Sequence, residues 1–267
     1  MRGPTQPAGN VSDSLLEAKT LTKRFGRVTA VDAVDLRVGA GEIRAIIGPN
    51  GSGKTTLLHL LSRTLQPTGG TIVFRGRDIT RMPPHRMAHL GVARSFQVTN
   101  LFFELSVFEN LRIAIQASRT TLNFWRTADS LSEINERAEA LLVDTGLWSR
   151  RNELASSLSH GEQRHLEMGI ALAAAPVLLL LDEPTAGMSP TETAEAIRFI
   201  DRLRGRTTVL LVEHDMDVVM NLADRITVLH QGRVIGEGPP STIVNHSEVR
   251  RVYLGGDGAW MEAGHGN

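Results

Sequence analysis

The sequence predicts an α/β fold with a mostly parallel sheet flanked by helices. Three observations carry it. Four short runs, Glu42–Ile47, Val177–Leu181, Thr207–Val212 and Arg225–Leu229, are largely apolar, as strands covered on both faces are. Helical spacings of three and four separate them, as in Ala196, Ile200 and Leu203. The first run ends at a glycine-rich turn followed at once by Leu57, Leu58 and Leu61, the strand–loop–helix order of a parallel unit.

Taken in order, Met1–Ser14 is rich in Gly, Pro, Ser, Thr and Asn and is expected to be a disordered tail. Residues 15–47 read as short strands, with Asp32 and Asp35 interrupting the valine-rich Val28–Val38. Pro67, Gly69 and Gly70 end the helix after the turn, and Thr71–Arg75 is a further strand. The character then changes. Ile134, Ala138, Leu141 and Leu142 share one helical face, with Gly146 as a cap. Leu158 to Ala175 reads as another helix, so this region is expected to be a helical insertion with its own small core. The strand–helix alternation resumes at Val177, and Ser189-Pro190-Thr191-Glu192 is a capping box with proline at the first helical position. Gly255–Asn267 again looks loosely ordered. No internal repeat is visible.

Composition narrows the function classes. Of 267 residues, 29 are basic and 29 acidic, so no bulk basic field favours nucleic acid as a partner. The chain has no cysteine, which excludes disulfides and thiolate metal sites. The longest nearly apolar run, Ile170–Leu181, falls short of the roughly 20 residues a spanning helix needs, and Pro176 breaks it. No signal peptide is apparent, so the expected place is the cytoplasm, with any membrane role peripheral.

The chemistry begins at Gly48-Pro49-Asn50-Gly51-Ser52-Gly53-Lys54-Thr55, which fits G-x-x-x-x-G-K-[ST]. The glycines let successive backbone N–H groups turn inward onto phosphate oxygens, and the following helix adds the positive end of its dipole. Lys54 supplies a point charge for β- and γ-phosphates, and the Thr55 hydroxyl ligates Mg²⁺. An accidental match in a chain this long has odds on the order of 1%. Farther on, Val177–Leu181 runs into Asp182 and Glu183, placing two carboxylates at the carboxyl edge of the sheet. Asp182 is expected to hold Mg²⁺ directly or through water, and Glu183 to act as general base toward water. Taken without the phosphate loop, the same residues read equally well as an exposed strand end before a turn at Pro184.

Between these motifs, Leu158-Ser159-His160-Gly161-Glu162-Gln163 resembles the L-S-G-G-Q signature of ATP-binding cassette proteins. Read alone, Ser159-x-x-Glu162 is a capping box and needs no ligand. The other family elements follow in order. Gln97 stands near the place of the glutamine loop, Pro184–Met188 resembles the loop after the catalytic glutamate, and His214 matches the switch histidine. Phe25 lies where an aromatic residue stacks on adenine. The resemblance spans about Leu15 to Leu254.

That resemblance implies a P-loop NTPase (RecA-like) core, an antiparallel β subdomain and a helical signature subdomain. The core is expected at 15–98 and 175–254, the helical lobe at 99–174, and tails at 1–14 and 255–267. The nucleotide set becomes Phe25, Gly48, Pro49, Asn50, Gly51, Ser52, Gly53, Lys54, Thr55, Thr56, Ser159, Gly161 and Glu162. The catalytic set becomes Glu183, His214 and Gln97, and the Mg²⁺ set Thr55, Gln97 and Asp182. In relatives the signature meets the γ-phosphate of ATP held by another subunit, so a second ATPase chain, identical or sister, is implied. Membrane permease subunits and, through them, a solute-binding protein are the other implied partners, at the cytoplasmic face of the membrane. His160 and Glu162 depart from the usual spelling, adding bulk and like charge beside that phosphate. Their spelling, with Val107-Phe108-Glu109-Asn110-Leu111, Pro184–Pro190 and Val252-Tyr253-Leu254-Gly255, resembles the uptake branch for branched-chain amino acids and urea. Two other readings stand beside transport. One is a soluble cassette ATPase acting on ribosomes or DNA, though the chain has one cassette and no long heptad run. The other is a phosphotransferase built on a phosphate loop.

Overall fold

The computed structural model describes residues 14–94, 101–118 and 128–254, apart from the side chains of 128–131, 253 and 254. The chain opens with β1 (Ser14–Phe25) and β2 (Val28–Gly39), then β3 (Ile43–Ile47) and, across the glycine-rich turn, α1 (Lys54–Leu61). Next come β4 (Gly69–Phe74), β5 (Arg77–Asp78), α2 (His85–His89) and β6 (Val92–Arg94). The helical region holds α3 (Val107–Ser118), α4 (Ala128–Asp144) and α5 (His160–Leu172). The alternation then returns with β7 (Leu178–Asp182), α6 (Pro190–Asp201), β8 (Thr208–Val212) and α7 (Met216–Leu222). The chain closes with β9 (Arg225–His230), β10 (Arg233–Gly238), α8 (Pro240–Val244) and α9 (Ser247–Leu254).

Two sheets form. One is antiparallel, in the order β2-β1-β4-β5. The other runs β10-β9-β3-β8-β7-β6, parallel throughout except where β10 folds back on β9. The apolar runs explain the layering. Alternate residues of a strand face opposite ways. Ile43, Ala45, Ile47, Leu179 and Leu181 accordingly pack toward α3–α7, while Ile46, Leu178, Leu180 and Leu210 pack toward α1 and the antiparallel sheet. Both faces of the central sheet are thus covered.

The short strands expected over 15–47 are longer. β1 and β2 run for 12 residues each and pair along their length, with register shifts on the way. The aspartates do not interrupt β2. Asp35 accepts from the Thr20 amide at 2.7 Å, and Thr20 and Ala33 take positive φ, so the irregularities are absorbed inside the ladder. Ser14, expected in the tail, opens β1. The remaining tail residues, 1–13 and 255–267, and Gln97 lie outside the described residues.

Candidate active site

Three neighbouring strands of the parallel sheet, β3, β8 and β7, end side by side. Their carboxyl ends lead into Gly48, into Glu213 and His214, and into Asp182 and Glu183. Open α/β sheets bind ligands at this edge.

The turn after β3 is shaped by close approach. At Gly48, a Cβ would lie 2.2 Å from the Leu229 carbonyl oxygen, and at Gly53 a Cβ would lie 2.3 Å from that of Ala30. Gly53 also has φ 102° and is the residue from which α1 starts. Only glycine fits either place. The turn is thereby seated between β9 and the β1–β2 hairpin, and the Gly232 amide fastens it by donating to the Ser52 carbonyl at 2.9 Å. Lys54 arches back over the turn, its Nζ donating to the carbonyls of Gly48 at 2.8 Å and Pro49 at 3.1 Å. Burial pushes the Lys54 ammonium below its ordinary value, and Glu183 and Asp182 oppose that fall. Thr55 and Thr56 follow on the first turn of α1.

Asp182 ends β7 with its side chain fully buried. Burial raises its carboxyl above the ordinary range, Arg94 pulls it down, and Glu183 adds to the rise. Oδ2 accepts from Arg94 Nη2 at 3.2 Å, whereas Oδ1 has no partner among the described residues. The next residue, Glu183, takes φ 50°, turning it off the strand line. Its amide donates to Val212 at 2.9 Å, and its Oε1 stands 3.9 Å from His214 Nδ1. Phe25 is half exposed at the end of the hairpin that packs against Gly53, with Lys23 Nζ 5.1 Å from its ring centre.

Lys54, Asp182, Glu183 and His214 therefore share one edge. Ser159, Gly161 and Glu162 lie at the start of α5, and among the described residues no hydrogen bond joins them to Gly48–Thr55. Ser159 caps α5: its Oγ accepts from the Glu162 amide, and its own amide donates to the Glu162 carboxylate at 2.9 Å. Glu162 is further engaged by Arg150 at 3.4 Å, which offsets its charge. His160 rests against Gly187, in the loop after Glu183.

With this arrangement in place, residues 31–186, well over half of the chain, match the ABC transporter family. The chain belongs to that family. Residues 233–259 match a second description, branched-chain amino acid ATP-binding cassette transporter. The cassette is 42% identical over 255 residues to the high-affinity branched-chain amino acid transport ATP-binding protein LivG of Salmonella typhimurium, covering 92% of this chain and 99% of the relative. The ADP conformation of MJ1267, an ATP-binding cassette of an ABC transporter, superposes with TM-score 0.79 at 29% identity, covering 91% and 99%. The dimeric post-hydrolysis state of the cassette MJ0796, bound to ADP and Pi, gives TM-score 0.71 at 26% identity, covering 84% and 98%. The cassette is an ATP-binding and ATP-hydrolysing component of a transporter.

Three side-chain contacts around these groups escaped the sequence reading. Arg94 ends β6 and holds Asp182 across 88 positions. Glu213 is fully buried and ties the loop after Glu183 to β8, accepting from Thr185 Oγ1 at 2.7 Å and from the His214 amide at 3.2 Å. Glu192, on α6, accepts from Ser159 Oγ at 2.9 Å. The one sequence signal for Glu213 is its place beside His214 after an apolar run.

Proposed function

We propose that the cassette powers uptake of branched-chain amino acids or a related small polar solute such as urea. The observation that carries the hydrolytic part is the convergence of Lys54, Asp182, Glu183 and His214 on adjoining strand ends. The substrate class is supported by the C-terminal match of residues 233–259 and by what LivG transports. Nothing favours the ribosome or DNA reading.

In this proposal the turn Gly48–Thr55 binds the phosphates, and Lys54 neutralises β- and γ-oxygens. Phe25 stacks on the base. Mg²⁺ fits the residues present: Thr55 offers a hydroxyl and Asp182 a buried oxygen without a partner among the described residues, and this ion takes one or two carboxylates plus phosphates. Held by Thr55 and Asp182, it would neutralise phosphate charge. Gln97 belongs to the same set by resemblance. Glu183 accepts the proton of the attacking water; the water oxygen bonds to the γ-phosphorus as the bond to the ADP oxygen breaks, releasing ADP and phosphate. His214, beside Glu183, holds the γ-phosphate in line. Ser159, Gly161 and Glu162 close on the γ-phosphate of a second cassette, identical or sister.

The helical lobe docks on permease subunits at the cytoplasmic membrane face, and through them serves a solute-binding protein. Supporting this are exposed Phe102 and Phe103 and a cleft of about 460 Å³ between the lobe and β6, lined by Met87, Leu101 and Ile170. Among the described residues no helix is long and apolar enough to cross a membrane. The test is Glu183→Gln, expected to keep ATP binding and lose nearly all turnover. Intact turnover would remove Glu183 as the base.

A further inference from the structure

The Glu192 carboxylate reaches the start of a helix that is not its own. On α6 it closes the capping box, accepting from the Ser189 amide at 2.9 Å and the Ser189 hydroxyl at 2.8 Å, both through Oε2. Its other oxygen, Oε1, accepts from Ser159 Oγ, 33 positions earlier, at 2.9 Å. Gly161 lies directly against this carboxylate. The approach is close: a Cβ on Gly161 would lie 2.3 Å from Oε1.

Ser159 and Gly161 are two of the groups assigned above to the γ-phosphate of a second cassette. A carboxylate and a phosphate oxygen seek the same donors, and helix starts attract either. We propose that Glu192 is a built-in occupant of the signature half-site, its Oε1 taking the Ser159 hydroxyl and standing against Gly161 in the single chain, and swinging aside when the partner's ATP enters. The proposal rests on the two-chain reading of the signature. Displacement is local, because the Ser189 hydrogen bonds hold Oε2 and survive the loss of the one to Oε1. The occupant is charged under all ordinary conditions, since donation from Ser189 and Ser159 lowers the Glu192 carboxyl to about 2. Like charge must therefore withdraw as the nucleotide arrives. Because Glu192 lies on α6, directly after the Glu183 loop, its release also couples phosphate entry at one site to the element carrying the chemistry of the other.

The test uses the full chain with Glu183→Gln, which holds ATP without turnover, and measures by light scattering the Mg·ATP concentration that half-converts monomer to dimer. Glu192→Gln keeps the capping geometry, which Gln also supports, and removes the charge. It is expected to lower that concentration on the order of fivefold, within the usual range of coupling between sites. Glu192→Asp, too short to reach Ser159, is expected to move it the same way. Dimers that form with an unchanged or higher ATP requirement in both variants overturn the role of Glu192. Failure of ATP to drive dimers in any variant overturns the two-chain reading, and the proposal with it.

Discussion

Arg94 and Asp182 keep a charge buried yet half available. Desolvation weakens both ionised forms, and each partner returns part of what the other loses. Such a pair contributes little net stability, but breaking it strands a charge. Arg94→Gln is expected to cost about 3 kcal/mol in urea unfolding, since Asp182 would lie buried with no cation bonded to it. A loss below about 1 kcal/mol would show that Asp182 does not depend on the Arg94 charge. Gly53→Ala forces a side chain onto the Ala30 carbonyl at positive φ, and is expected to cost about 1–3 kcal/mol and weaken ATP binding, both measurable on the purified protein. The difference in legibility between these residues is physical. A phosphate cradle needs consecutive amides, so its residues are contiguous and spell a motif. Arg94 meets Asp182 only because β6 and β7 pair, and nothing within either segment announces the other.

Helix α5 shows what an element adds. Its start at the Ser159 capping box was readable, because both partners lie within one turn. Its link to α6 was not, although each box was visible separately, since a hydrogen bond between two caps depends on packing. His165, in the same helix, is buried: Nδ1 lies 3.2 Å from the Thr145 carbonyl oxygen, and the ring stacks near Phe199. Burial lowers its pKa from the ordinary 6.5, against the Thr145 hydrogen bond and the distant carboxylates of Glu195, Glu192 and Glu162. Below 6.5 the unfolded chain takes a proton that the folded chain resists, so stability falls as pH drops through that value. Stability is therefore expected to fall between pH 7 and 5, and His165→Leu should flatten the slope of denaturant midpoint against pH. An unchanged slope would place the proton elsewhere.

For the whole molecule, four strands of the parallel core, β3, β7, β8 and β9, were legible because they are largely apolar runs, while the three-residue β6 was not read. The last strand and helices were not read: β10 carries Gly236 and Gly238 in a partly exposed edge, and α7–α9 have only seven, five and eight residues, too short for a period to emerge. The long reach of the hairpin strands was masked by Asp32 and Asp35, whose side chains find partners instead of ending the ladder. Under the two-chain proposal, ATPase activity per milligram is expected to rise steeply with protein concentration before levelling, and a flat profile would mean that one chain suffices.

That the start of α5 makes no hydrogen bond to the Gly48–Thr55 turn, among the described residues, has a consequence for mixtures of defective chains. If each site draws its turn from one copy and its Ser159 from another, lesions combine by address rather than by number. A copy with damaged Glu183, paired with one damaged at Ser159, concentrates both faults in one site and leaves the other whole. The same two faults placed on a single copy, paired with an intact chain, spoil both sites. Co-expressed mutants should therefore rescue each other in one arrangement and poison in the other, a genetic asymmetry written into where one chain ends its strands and begins its helix.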